Sequence, residues 1–424
     1  VKTYIGGVST LAGLTDVSMD ITNLVDGLII QTNSDGSAPG TGTLSGAASI
    51  LGIGKDVFAA LTSGDDSYAY GHNALKAMTT GSANIAIGSN TLDALTTENY
   101  NIAIGYNSMT GAVNGAEYNV MVGSNSGATI TTGDDNTAVG HDALAGANTG
   151  QHNTAVGKGC LTALTTGSSN VALGRATGAN ITTAGYQTLI GTEAGYSNAT
   201  GGSNTLVGYQ AGRSIAGDGG AGGVNNVCIG NGAGYDTTAY TGGRWNVIVG
   251  DFSRGSGGNA EAEIVIGYNV TSGSENRFTF GKGTTDSAIN FGATSITAPS
   301  DKRLKEDITT STAGLSFIND LRPVTFKWRQ EKDIPSEMNA HIEGSNDRYN
   351  NNKTNHGFIA QEVKTVIDNH SELKDGFNMW DEDVQDGRQR IAEGALVPML
   401  VKSIQELSEK IDAQQNEIDA LKNA

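Results

Sequence analysis

Much of what usually holds a protein together is scarce in this chain. Its 424 residues contain two cysteines and five prolines, and aromatic residues make up 6%. The cysteines, Cys160 and Cys228, lie far apart, so they offer no disulfide framework and read as small apolar fillers. The shortage of proline excludes a collagen-type helix, and so does the lack of a three-residue glycine period, although glycine itself is abundant at 60 residues. Basic residues are also short, 26 against 44 acidic ones. That excess of negative charge favours solubility and argues against nucleic acid as a partner. No apolar run is long enough to cross a bilayer, so no membrane insertion is expected, and no signal peptide is legible. The chain opens on Val1, which is compatible with a trimmed precursor.

What is present is repetition. The pentads "SYAYG" (67–71), "NIAIG" (84–88 and 101–105), "NVMVG" (119–123), "NTAVG" (136–140 and 153–157) and "NVALG" (170–174) succeed one another. "QTLIG" (187–191), "NTLVG" (204–208), "NVCIG" (226–230), "NVIVG" (246–250) and "EIVIG" (263–267) continue the series, and "ILGIG" (50–54) is a degenerate first copy. Nine of the twelve gaps between closing glycines are 17 residues. The two longest gaps, 22 and 20, adjoin "AGDGGAGG" and "YDTTAYTGGR", which read as loop insertions.

Three residues rich in Val, Ile and Ala predict a very short strand. The Asn before it can bond its own backbone or form a ladder with the next coil. The Gly after it permits a positive φ for a turn. A further position follows four residues later, first Leu75, Leu92, Met109, Leu144 and Leu161, then Gly178, Gly195, Gly212 and Gly234. This shift from Leu to Gly predicts a cross-section that changes along the array. One strand pair per repeat cannot bury a face alone, so the coils must stack. Thirteen coils at roughly 4.8 Å each give a rod on the order of 60 Å. The expected fold is mainly β: a cap or β module over 1–49, an elongated repeat β-solenoid shaft over 50–297, and a small α+β domain over 298–424.

That last region has a different composition. Residues 300–424 hold only six of the 60 glycines but 39 of the 70 charged residues. Trp328, Trp380, Phe326 and Phe358 are the expected core. "LRPVTFKW" (321–328) and "HGFIAQEV" (356–363) read as strand-like runs, the second entering a helix. A coiled-coil helix is predicted over 396–422, with Val397, Ile404, Ile411 and Ile418 on one seam position and Leu400, Leu407, Gln414 and Leu421 on the other. β-branched residues paired with Leu favour a dimer in isolated coiled coils, and Gln414 disturbs that rule.

The "NIAIG"-type repeats resemble the head repeats of trimeric bacterial adhesins and the shafts of bacteriophage tail fibres, which implies a homotrimer. Residues 13–36 resemble a β module near the attachment end of phage fibres, implying contact with other tail proteins; an irregular cap is the alternative. "PSDKRLKEDI" followed by "INDLRPVTFKW", "HGFIAQEV" and "LVPMLVKSIQELSEKI" resembles the C-terminal intramolecular chaperone auto-processing domain of endosialidase tailspikes and tail fibres. That resemblance implies Ser300 as nucleophile and Lys305 as its base, within a motif that also includes Asp301, Arg303 and Leu304. Cleavage is expected at the junction Pro299–Ser300–Asp301. A lysine serves as base only when burial or a nearby cation, here Lys302 or Arg303, favours loss of its proton. The competing reading makes Ser300 a helix N-cap and the charges a solvated first turn.

Other constellations are weaker. The six histidines lack metal-ligand spacing, and neither metal nor cofactor is expected. His356 is expected to pack or hydrogen bond. "WDEDVQD" (380–386) reads as a solvated acidic loop or a cation site. Trp245 and Tyr240 are the candidate receptor-contact patch. The sequence reads as a virion tail fibre, assembled in the host cytoplasm, that binds a host cell-surface glycan or outer-membrane component and cleaves only itself. The alternative is a tailspike depolymerase, although no carboxylate pair for glycoside hydrolysis stands out.

Overall fold

A computed structural model describes residues 17–18, 24–30, 44–146, 149–215, 222–235, 243–373, 377–383 and 387–423. Most of the 13–36 module, most of both insertions, Tyr240 and residues 384–386 lie outside these. The chain divides into two compact units, Val1–Ser300 and Asp301–Ala424.

The first unit is a β-solenoid. Each repeat contributes one three-residue strand rather than the expected pair, and the rest of the coil is turns. Successive strands pair in parallel, one coil apart, as in Ile85↔Ile102 and Ala86↔Ala103. The parallel stack begins before the first pentad, with Leu28–Ile30 pairing to Leu51–Ile53. It ends where Ile264–Tyr268 pairs with Arg277–Lys282, and the antiparallel strand Thr285–Asn290 closes it.

The sequence columns explain the coil. The middle residue of each strand points inward and its two neighbours point outward. Asn is buried because it forms a ladder. Asn136 Oδ1 accepts from the backbone N–H of Asn153 (3.0 Å) and from its Nδ2 (3.0 Å), and that Nδ2 also donates to Gly167 O (3.0 Å). Equivalent bonds link the coils from Asn84 to Asn246, with Gln187 as one longer rung. Each rung satisfies buried polar groups that would otherwise lose their water partners uncompensated. The closing glycines form a second column. Gly105 has φ +136°, and a Cβ there would lie 2.4 Å from the carbonyl oxygen of Gly123 in the next coil. Both the backbone conformation and the close approach therefore require glycine.

The Leu-to-Gly shift has another cause than the one expected. The position four residues after the closing glycine adopts a left-handed φ whether it holds Leu75 (50°), Met109 (52°) or Gly127 (59°). Its side chain shares space with the middle residue of the strand. Ala69, Ala86, Ala138 and Ala155 accompany Leu75, Leu92, Leu144 and Leu161, whereas Met121, Leu189 and Leu206 accompany Gly127, Gly195 and Gly212. A Cβ on Gly127 would lie 2.6 Å from Met121 Sδ, and one on Gly212 2.7 Å from the Leu206 methyls. In these coils the bulk moves from turn to strand; where Ala172 and Gly178 are both small, Leu161 and Leu189 of the neighbouring coils reach the space beside Gly178. Close packing of the coil interior demands this exchange.

The second unit holds three α-helices, α1 (Leu315–Asp320), α2 (Ala360–Asn369) and α3 (Val397–Lys422), with two small hairpins. Its core centres on Phe317, which is fully buried and meets His370 and Phe377 edge-on at 5.4 and 5.7 Å. Phe358 and Trp380 pack against this core as expected. Phe326 and Trp328 do not: they stack edge-on with each other at 5.2 Å on the first hairpin, outside the core cluster. Glu406 of α3 caps α1 by accepting from the Leu315 backbone N–H (2.8 Å), and it fits there because Gly314 has no side chain. Only Met399 and Ser403 of α3 are buried. The seam residues Ile404 (66%) and Ile411 (63%) are exposed, so within a single chain the coiled-coil stripe has no covering surface.

Candidate functional site

The site predicted from sequence lies where the two units join in the chain. The last structured contact of the solenoid is a bridge between Ala288 and Thr297, whose backbone groups exchange hydrogen bonds of 2.8 and 2.6 Å. Every residue from 291 to 312 is exposed. Ala298, Pro299 and Ser300 follow the bridge in this exposed run.

After them, Lys302–Leu304 form a single 3-10 turn. Its N-cap is Asp301, not Ser300 as the competing reading had it. The Asp301 carboxylate accepts from the Arg303 backbone N–H (2.8 Å) and pairs with its guanidinium (2.6 Å to Nη2). Hydrogen bonding to Arg303 holds the Asp301 carboxyl below its usual range. Local geometry explains the pair: a two-residue separation in a tight turn brings both side chains to the same side. The pairing engages Arg303, one of the two cations expected to favour proton loss from Lys305, and leaves Lys302 for that part. Lys305 ends the turn, its backbone N–H donating to Lys302 O (3.2 Å). The structure thus draws Asp301 and Arg303 together, while Ser300 and Lys305 stand before and after that pair, both exposed in the single chain.

Residues 300–372 match a peptidase family described as chaperone of endosialidase. No curated protein and no solved structure matches the chain. The match begins on Ser300 and runs through α2 to the segment beyond it. A β-solenoid body followed by this chaperone domain fits a tailspike- or endosialidase-type protein.

Within the chaperone domain, His370 is the residue that sequence reasoning missed. Its ring bridges Glu372 (Nδ1, 2.9 Å) and Asp320 at the end of α1 (Nε2, 2.9 Å). Donation to the carboxylates of Glu372 and then Asp320 raises its pKa above the ordinary histidine value. His356 is exposed on the strand Asn355–Gly357, opposite Thr325, and its ring makes no hydrogen bond among the described residues. The acidic stretch is engaged by arginines: Asp383 pairs with Arg390 (2.6 Å) and Arg388 (3.4 Å). Among the described residues no group of three or more His, Cys, Asp or Glu is placed to hold a metal, and no helix is long and apolar enough to cross a membrane.

In the solenoid, Cys160 lies in a turn and Cys228 at the centre of a strand, both buried, and burial pushes both thiols up to about 12. Such thiols are inert fillers. Trp245 is 53% exposed, with the Arg244 guanidinium 4.5 Å from its ring centre.

Proposed function

We propose that this chain is a homotrimeric tail-fibre-type protein for host-surface attachment, folded by its C-terminal chaperone domain, which then cuts itself free. Carrying this reading is one coincidence: the family match begins at Ser300, the residue after which the two compact units part. A folding device that must leave its product is best severed at that joint.

The outer face of the solenoid sheet supports three copies. Both outward positions of most strands are β-branched or aromatic, among them Tyr70 (60%), Ile87 (42%), Val171 (46%) and Ile229 (42%). Exposed apolar surface on this scale marks an association face. Because neighbouring coils are nearly equivalent, chains slipped by one coil regain most contacts, so register is weakly specified from within. Long-range pairing is also slow and leaves strand edges exposed. A chaperone trimer, with the α3 stripe as its seam, aligns the chains before the solenoids zip, and kinetic trapping keeps them so once it departs.

Assembly also gates the chemistry. Burial of Lys305 between chains removes its proton, so it can take the Ser300 hydroxyl proton. Attack by Ser300 Oγ on the preceding carbonyl exchanges the Pro299–Ser300 amide for an ester, which water then hydrolyses; attack by a serine reaching from a neighbouring chain breaks Ser300–Asp301, and water likewise frees the ester it forms. Denaturing electrophoresis of wild type beside Ser300→Ala tests the cut: a fragment boundary near 299–301 that vanishes in the variant is expected, and identical patterns refute it. Trimer yield of a chain ending at residue 299 tests the chaperone role, and an undiminished yield refutes it. The fibre belongs on the virion, assembled in the host cytoplasm, with a surface glycan or outer-membrane component as receptor and other tail proteins at its N-terminal end. The family description, which names endosialidase, favours a glycan depolymerase as second reading; release of reducing ends from host polysaccharide would establish it.

A further inference from the structure

The residue two places before each strand sits at a corner of the coil in a left-handed conformation, with φ between 51° (Asp66) and 60° (His152, Ser169). That conformation favours glycine, and this chain uses glycine freely. Yet none of the thirteen corners from Ser49 to Ala262 is glycine. At the two other left-handed turn positions, two and four residues after the closing glycine, glycine does occur, as at Gly159 and Gly232 and at Gly178 and Gly195. The corner side chains are therefore retained for something that lies outside the coil.

We infer that these corners, with the residue following each closing glycine, form the seams between neighbouring chains and fix their axial register. The inference rests on the homotrimer proposed above. Three sheets facing a common axis have strands that circulate in one direction, so the end of each strand meets the start of the next chain's strand. Rotation without translation, which a closed trimer requires, sets the two at the same coil level. At several coils the facing residues are complementary at that level, whereas others, such as Tyr100 with Tyr106 and Ala83 with Ser89, carry no such preference. Asp66 would face His72 of a second copy, and Asp135 would face His141. Both aspartates are exposed, and their carboxylates make no hydrogen bond or ion pair within the chain among the described residues. His141 already uses Nδ1 on Asp142 (2.7 Å), which leaves Nε2 to donate outward. Bulk alternates as well: Tyr186 (74% exposed) meets Thr192, and in the next coil Ser203 meets Tyr209 (52% exposed). A slip of one coil sets Tyr186 against Tyr209 in one direction and leaves two small residues, Ser203 and Thr192, facing each other in the other. The seam thus supplies the register information that the repeating sheet lacks.

Paired cysteines test this. Tyr186→Cys with Thr192→Cys places the thiols at one coil level; Tyr186→Cys with Tyr209→Cys places them one coil apart. Within a chain the first pair is separated by an extended strand of about 10 Å, beyond the roughly 7 Å a disulfide spans. Oxidation is expected to give a covalent trimer on a denaturing gel from the first pair and single chains from the second. Linkage in the second pair but not the first overturns the register; linkage in neither, in a protein whose solution mass is that of a trimer, overturns the seam. A solution mass of one chain removes the trimer reading itself, and the seam with it.

Discussion

The solenoid and the chaperone domain solve the problem of stability in opposite ways. In the solenoid no residue is unique. Each coil bonds the ladder side chain of the coil before it and rests on the glycine of the next, so stability accrues by neighbours. In the chaperone domain nine buried apolar residues around Phe317 form one core that exists once. A repeated structure tolerates local damage but cannot number its own coils. A unique core can specify position but fails as a whole.

The largest expected effect lies in the unique core. Phe317→Ala removes a fully buried ring and should cost about 4 kcal/mol, a large fraction of what a domain this small possesses. We expect loss of the helical circular-dichroism signal with the β signal retained. Loss of both together would show that the two units do not differ in cooperativity. In the solenoid, Gly105→Ala drives a Cβ to 2.4 Å from Gly123 O at φ +136° and should cost roughly 3 kcal/mol. Here hydrogen exchange should report loss of protection confined to the coils around 88–123. Uniform loss along the whole solenoid would contradict nearest-neighbour stability. Asn153→Ala removes one rung: the Asn170 backbone N–H and Gly167 O lose the Asn153 side chain, whereas Asn136 Oδ1 keeps the backbone N–H of residue 153, and the change should cost about 2 kcal/mol. The same exchange measurement, centred on 136–170, reads it.

The same contrast decides what a single sequence reveals. The pentads announced the strand and its period because every coil repeats them. The exchange between Met121, Leu189 and Leu206 in strands and the turn positions six residues on was less legible. Only coordinates show that the two side chains occupy one space, and Leu versus Gly in the turn suggested a taper instead. In the chaperone domain, periodicity found α3 and its seam, and motif resemblance marked Ser300 and Lys305. It gave no hint of His370, whose partner Asp320 is 50 residues away. Nor did it foresee that Asp301 would take the cap assigned to Ser300 and draw off Arg303. Non-repeating contacts leave no pattern to read.

Two buried glutamates sharpen the comparison within the solenoid itself, with the smallest expected effects. Glu98 accepts backbone N–H bonds from Thr96 (2.9 Å), Thr97 (2.9 Å) and Gly115 (3.0 Å). Burial pushes its carboxyl up, but the donors together outweigh burial and hold it below the usual range. Glu263 takes the ladder position of Asn in its coil and receives only the Ser256 backbone N–H on its carboxylate (3.0 and 3.2 Å) among backbone donors. Burial, partly offset by Ser256 and Ser272, raises its carboxyl instead. The signs are therefore opposite. Glu98, with its folded value depressed, contributes stability above the unfolded carboxyl value of about 4.3, and that contribution fades as pH falls through the lower folded value. Glu263, with its folded value raised, costs stability at neutral pH, and the cost fades as pH falls through that raised value. Glu98→Gln should lower the melting temperature at pH 7 and Glu263→Gln should raise it, each by about 1 kcal/mol equivalent. On acidification the Glu263→Gln gain should disappear first, because its folded carboxyl titrates at the higher pH. Melting curves of both variants between pH 3 and 8 check this; shifts of the same sign at neutral pH would mean that the ladder treats a charge alike in mid-coil and at its end.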